Sequence, residues 1–164
     1  MADFAAPLFE EVEAASRWRE EQRARGRRVV FTNGVFDLVH AGHVAYLAWA
    51  RAQGDALIVG LNADASVRAL KGPERPLVPY ADRARVVAAL RSVDAIVGFA
   101  ERTPETLLER IRPDVHVKSA QYRLEDLPER IVVLQHGGEI RLAPHVAGRS
   151  TTDIVAEIRR RYGA

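Results

Sequence analysis

The sequence predicts an α/β fold, a doubly wound parallel sheet of five strands with helices on both faces. Three observations predict it. Short apolar runs such as Val29-Val30-Phe31, Ala56–Leu61 and Ala95–Phe99 show no alternation, as expected of strands covered on both sides. Helical segments alternate with these runs, the βα pattern of a parallel sheet. The chain has 164 residues, 48% of them hydrophobic, which suits one domain with a sizeable core rather than two. Right-handed crossovers then wind the helices onto both faces.

Each element has a local reason. Residues 1–26 read as a helical N-terminal extension closed at Gly26, ahead of one domain over 27–164. Arg28–Thr32 is the first strand, and a helix from about His43 to Gln53 closes at Gly54. Ala56–Leu61 is the second strand and Asp64–Leu70 a short helix. Lys71-Gly72-Pro73-Glu74-Arg75-Pro76 is a loop of breakers and charge. Tyr80–Leu90 reads as a helix and Ala95–Phe99 as the third strand. Thr103 is the expected N-cap of the next helix, with Pro104 at its first position. Val115–Lys118 is the fourth strand. Glu125–Gly138 stays open: Ile131–Leu134 suits a strand, while the charged lead-in and the Gly137-Gly138 exit suit a helix. Glu139–Ala143 is the fifth strand, and Thr152–Tyr162 the last helix, with Ile154, Val155 and Ile158 on one face.

Composition removes several function classes. The 24 basic and 22 acidic residues leave a net charge of +2. One basic cluster stands out, Arg17, Arg19, Arg23, Arg25, Arg27 and Arg28, but Glu10, Glu11, Glu13, Glu20 and Glu21 offset it. It reads as a solvated helix face, so no nucleic-acid partner is expected. No apolar run approaches the roughly 20 residues of a membrane span, so no membrane partner is expected. Met1–Glu20 carries acids and no apolar segment, so no signal peptide is expected. Zero cysteines exclude disulfides, thiolate chemistry and cysteine-ligated zinc, and make the cytoplasm the expected compartment.

Ligands of doubly wound sheets sit past the carboxyl ends of the strands, at the switch point. After the first strand comes Asn33-Gly34-Val35-Phe36-Asp37-Leu38-Val39-His40-Ala41-Gly42-His43. His40 and His43 are three apart where a helix begins, which places both imidazoles on one side of its start. Free backbone N–H groups there, with two imidazoles beside them, suit a polyanion such as a triphosphate. Gly42 lets a ligand approach the backbone, and Thr32, Asn33, Gly34 and Phe36 are further candidate nucleotide-binding positions. The blander alternative is a histidine pair satisfied within the core or in a metal site. Asp37 is expected to orient a histidine or cap the turn, and Asp94 to serve an edge or subunit role.

Three further candidates follow. Lys71 and Lys118 are the only lysines in the chain, and Lys71 lies on the breaker-rich loop with Arg75. A point-like ammonium on such a loop can follow a phosphate through a reaction, although both residues also read as ordinary loop cations. Arg149, Ser150, Thr151 and Thr152 open the last helix with charge, hydroxyls and free N–H groups; a plain N-cap is the bland alternative. Lys118 ends the fourth strand opposite the histidines, followed by Ser119, Ala120 and Gln121. A glutamine amide can pair with the edge of adenine, or point to solvent while the backbone reads the base. His116, His136 and His145 show no metal spacing, and no protein metal site is expected.

The string from Gly34 to His43 resembles the HxGH signature of the nucleotidylyltransferase superfamily. Leu70–Pro76 resembles the second loop of its sugar-phosphate branch, and Arg149–Thr152 its Ile-Ser-Thr-Thr signature. From about Arg28 to Arg160 the chain is similar to the adenylyltransferase part of the ADP-heptose biosynthesis enzymes, in the stand-alone form that acts on D-glycero-β-D-manno-heptose 1-phosphate. The resemblance implies a Rossmann-like domain over 27–164 that joins ATP and a sugar 1-phosphate and releases pyrophosphate. It implies phosphate-holding roles for His40, His43, Lys71 and Arg149–Thr152, with Mg²⁺ arriving with ATP. Related enzymes read Val-Lys-Gly-Gly-Asp-Tyr where this chain reads Val117-Lys118-Ser119-Ala120-Gln121-Tyr122. Cytidylyl transfer to glycerol 3-phosphate or a related alcohol phosphate is the alternative, and an inactive nucleotide-binding module the second. A homodimer is the expected assembly.

Overall fold

The structure is a computed structural model that describes residues 5–144 and 150–163. Its elements in chain order are β1 (Leu8–Phe9), α1 (Val12–Ala24), β2 (Val29–Gly34), α2 (Ala41–Arg51), β3 (Ala56–Asn62), α3 (Asp64–Lys71) and α4 (Tyr80–Ala88). They continue with β4 (Ala95–Phe99), α5 (Glu105–Ile111), β5 (Val115–Ser119), a 3₁₀ turn at Leu124–Asp126, α6 (Arg130–Gln135), β6 (Glu139–Ala143) and α7 (Thr151–Tyr162). The six strands form one sheet in the order β1-β4-β3-β2-β5-β6, and every pairing is parallel. The fold is α/β and Rossmann-like, as expected. The winding reverses between β2 and β5, so the carboxyl ends of these two strands form the switch point.

Both sheet faces are covered, which is why the strands read as unbroken apolar runs. Val30, Leu57, Val59, Ile96, Val115 and Val117 pack against Leu47 and Ala50 of α2 and Ala84, Val87 and Ala88 of α4. On the other face Val29, Phe31, Ile58, Ala95 and Val97 pack against Ala15 of α1, Leu107, Leu108 and Ile111 of α5 and Val133 of α6. Three aspartates pin the amino ends of the strands. Asp55 accepts from Arg28 N at 2.8 Å, Asp94 from Leu57 N at 2.8 Å and Asp114 from Val29 N at 2.7 Å. Asp94 also pairs with Arg51 Nε at 2.7 Å, so it ties α2 to the sheet.

Several expectations need correction. The sheet has six strands rather than five, because Leu8–Phe9 adds an edge strand against β4. Two residues are too short to show any periodicity, so the N-terminal segment read as purely helical. Arg19 of the basic cluster is buried and pairs with Glu20 and Asp114, unlike its exposed neighbours. Helix α2 begins at Ala41 with His40 as its N-cap, and α5 begins at Glu105 with Pro104, not Thr103, in the cap position. The open stretch before β6 is the 3₁₀ turn followed by helix α6. Lys71 is the last residue of α3 rather than part of the loop. No residue of α7 is buried, and Ile158 on its apolar face is half exposed.

One buried cation joins the loops at the carboxyl end of the sheet. The Arg83 guanidinium of α4 donates to the carbonyls of Val35 (2.6 Å), Asn62 (2.9 Å) and Val78 (2.9 Å) and to Asp64 (2.6 Å). Arg83→Met keeps the apolar packing but leaves these acceptors without their donor. Breaking a buried charged network of this kind costs about 3–5 kcal/mol. Urea denaturation should show that loss as a lower midpoint with little change in slope.

Candidate active site

A cleft of about 610 Å³ opens at the switch point. Asn33 and Gly34 at the end of β2 and Lys118 and Ser119 at the end of β5 line it, with the starts of α2 and α7 and the end of α3. Between β2 and α2 the chain turns sharply. Phe36 has φ of 47°, a left-handed conformation that side chains other than glycine seldom adopt. That turn folds its ring back over Gly34, where a Cβ would stand 2.9 Å from the ring. The same ring stands tilted against His43, with centroids 5.2 Å apart. His43 in turn stacks on His40 at 3.9 Å. The spacing of three thus brings both imidazoles together at the start of α2, as expected.

The two rings differ in their surroundings. His40 Nδ1 accepts from Gly42 N at 3.1 Å, so in its neutral form the proton sits on Nε2. Burial, then the neighbouring His40, pushes the His43 imidazole down to about 4, against a backbone contact at Leu38 that favours protonation. His43 is therefore neutral near neutral pH in the free protein. A polyanion brought against it favours the protonated form and raises its pKa.

Asp37 holds the second loop rather than a histidine. Its buried carboxylate accepts from Leu77 N (2.9 Å), Val78 N (2.8 Å) and Arg75 Nε (2.6 Å). Burial pushes the Asp37 carboxyl up, but these amides and the Arg75 guanidinium outweigh it and hold it below its ordinary value. Arg75 lines the cleft with its charge already paired. Lys71 lines the same cleft and forms no ion pair among the described residues. It precedes Gly72, whose φ of 98° turns the chain from α3 into the loop.

The third motif lies across the cleft. Ser150 caps α7 by accepting from Asp153 N at 3.0 Å, and Thr151 and Thr152 form its first turn; all three line the cleft. Gly42 and Gln121 line it as well. Arg149 lies outside the described residues. Thr32 does not reach the cleft: it is fully buried, and its hydroxyl bonds Tyr46 at 2.7 Å and the Val117 carbonyl at 2.9 Å. It joins β2 to β5 beneath the site.

Several cleft residues escaped sequence reasoning. Arg102 and Thr103 follow β4, so the rule that ligands sit past strand ends was the signal for them. Arg102 also has no ion pair among the described residues. Tyr46, Asn62, Tyr122 and Glu129 line the cleft too. Glu129 was hidden in the open stretch before β6.

The family described as cytidylyltransferase-like matches residues 31–159. The chain belongs to the cytidylyltransferase-like family. It is 50% identical over 144 residues to the bifunctional protein HldE of Geobacter metallireducens, covering 88% of this chain and 29% of that protein. To the bifunctional protein HldE of Pseudomonas aeruginosa strain LESB58 it is 54% identical over 142 residues, covering 87% of this chain and 30% of that protein. The nucleotidyltransferase therefore spans under a third of the length of these relatives. A lipopolysaccharide core biosynthesis protein from Thermoplasma volcanium GSS1 superposes with a TM-score of 0.61 at 21% identity, over 74% of this chain and 98% of that one, a likeness of fold. No helix among the described residues is long and apolar enough to cross a membrane.

The state of His43 can be measured in this nucleotidyltransferase. Unfolded, the imidazole takes its proton near 6.5; folded, it holds it off until about 4. Acidification through that window therefore favours the unfolded chain. The ring resonances of His43 should titrate near 4 in the free protein and higher with pyrophosphate bound. A free-protein midpoint at the ordinary histidine value would contradict the buried geometry.

Proposed function

We propose that this nucleotidyltransferase joins ATP and a sugar 1-phosphate, D-glycero-β-D-manno-heptose 1-phosphate, to give the ADP-sugar and pyrophosphate. One observation supports the reading above the others. The stacked His40–His43 pair at the start of α2 shares one cleft with Ser150, Thr151 and Thr152 at the start of α7 and with Lys71, which has no ion pair among the described residues. Two helix starts and these donors suit a triphosphate. The identity of base and sugar rests on the resemblance of the three motifs and on relatives named as bifunctional HldE proteins.

The chemistry needs no protein nucleophile. An oxygen of the sugar phosphate attacks the α-phosphorus in line, the new P–O bond forms, the α–β bridge breaks and pyrophosphate leaves. The protein contributes position and charge. His40 and His43 hold the α- and β-phosphates while negative charge moves to the leaving group. Ser150, Thr151 and Thr152, with Arg149, hold the β- and γ-phosphates. Lys71 closes on the reacting phosphates, and Lys118 takes the phosphate of the sugar. Three carboxylates line the cleft, and they do not form a metal cage: Asp37 is committed to the second loop, Glu129 to buried partners, and Asp126 stands exposed near Arg123, with no cluster of three ligating side chains among the described residues. Mg²⁺ would therefore be held by the triphosphate oxygens and water, and would supply charge neutralisation there.

Cytidylyl transfer is the second reading. The Gln121 amide is exposed in the cleft and offers both a donor and an acceptor, which suit adenine or cytosine. Pyrophosphate release, measured for ATP, CTP, GTP and UTP against several sugar 1-phosphates and glycerol 3-phosphate, separates the two. The expected kcat/KM for ATP is at least about tenfold above CTP, roughly 1.4 kcal/mol in transition-state binding. CTP equal to or better than ATP with the best acceptor replaces the adenylyl reading by the cytidylyl one. No release with any pair leaves a nucleotide-binding module.

Lys71 provides a second test. It sits exposed at the end of α3 before a glycine turn, with no ion pair among the described residues to break before it engages a ligand. Lys71→Ala should lower kcat by more than it weakens ATP binding, the pattern of an interaction made mainly in the transition state. Single-turnover rates beside an ATP titration decide it. Unchanged kcat with weaker binding would place Lys71 in the ground state.

A further inference from the structure

Beneath the cleft lies a buried polar group that the reaction as described does not use. Glu129, just before α6, is 2% exposed, and His116 in the middle of β5 is fully buried. His116 Nε2 lies 3.3 Å from Glu129 Oε1, and Lys118 Nζ lies 3.0 Å from the same oxygen. Lys118 Nζ also donates to Asn33 Oδ1 at 3.2 Å, and the Tyr122 ring stands 5.0 Å away. The ammonium is thus held by β2, β5, the Tyr122 turn and the segment leading into α6.

The protonation states follow from the surroundings. Burial pushes the His116 imidazole down, so it is neutral and donates its Nε2 proton to Glu129. Burial pushes the Glu129 carboxyl up, but His116 and Lys118 outweigh it and bring it down to about 2. One anion and one cation therefore meet at the floor of the cleft, with a neutral donor behind the anion. Among the described residues two of the three ammonium protons are engaged, which leaves one for the cleft that Lys118 lines. A lysine stem is flexible, and freezing it on ligand binding costs entropy. Here it is ordered before any ligand arrives, which lowers the cost of binding.

We propose that Glu129, seated on His116, is a positioning residue that holds the Lys118 ammonium in place so that its remaining proton meets the phosphate of the acceptor. In this role Glu129 acts on the acceptor through Lys118. The role of Lys118 toward the acceptor rests on the adenylyl-transfer reading above, whereas its ordering by Glu129 does not.

Glu129→Gln keeps the shape and removes the charge. In the full chain it should raise the KM of the sugar phosphate about tenfold while moving the KM of ATP less than about twofold. Lys118→Ala should raise the acceptor KM as well, and the double variant should be no worse than Lys118→Ala alone, because the two residues act as a unit. Additive losses, or equal losses for ATP and acceptor, would overturn the proposal. A readout free of turnover keeps it separate from the reaction assigned. Lys71 and Lys118 are the only lysines, so lysine labelled with ¹⁵N at Nζ gives two ammonium signals. Lys118 should show a signal protected from exchange that Glu129→Gln abolishes, with Lys71 unchanged as the internal control. If the wild type turns over no acceptor, the reaction reading fails, and the ammonium signal alone decides the positioning. A Lys118 signal unaffected by Glu129→Gln refutes it.

Discussion

The site depends on one buried guanidinium. Arg83 reaches from α4 into the space where the β2–α2 turn, the end of β3 and the segment before α4 converge, and donates to a carbonyl in each. Loop backbone brought together at the end of a sheet leaves carbonyls facing one another without partners, and buried carbonyls need donors. A planar cation with several fixed N–H groups meets that need as a lysine would not. Asp64 balances the charge. Because the three loops share one donor, the walls of the cleft form one unit rather than three independent connections.

Asp37 repeats the arrangement with opposite sign. Its carboxylate collects two amides and the Arg75 side chain, so the second loop is fastened to the turn that carries the histidines. The turn is left-handed at Phe36 and places that ring under His43. Backbone strain of this kind persists where surrounding contacts enforce it. The consequence is electrical: burial keeps the His43 imidazole neutral near neutral pH until an anion arrives.

The cations of the cleft divide into two kinds. Arg75 and Lys118 are ion-paired to Asp37 and Glu129, and both pairs lie mostly out of water. Lys71 and Arg102 have no such partner among the described residues. Paired cations are ordered and their field is partly cancelled, which suits positioning. Unpaired ones are free to follow a ligand's charge.

Much of this was legible in the chain. Apolar runs and helical segments alternate, which dictates a parallel sheet, and short-range spacing put His40 and His43 side by side and Ser150–Thr152 at a helix start. These are local properties, set by backbone geometry within a few residues. The two-residue edge strand was not legible, since Leu8–Phe9 is a strand only because β4 offers an unpaired edge. Nor was the role of Asp37, whose partners are about 40 residues away, or the burial of Thr32 between β2 and β5. The contacts of Glu129, His116 and Lys118 likewise required β5 and the segment before α6 to meet. Sequence patterns report which side chains share a face of their own element. Which carboxylate finds which cation across the fold depends on packing distances, and those exist only once the sheet has brought the loops together.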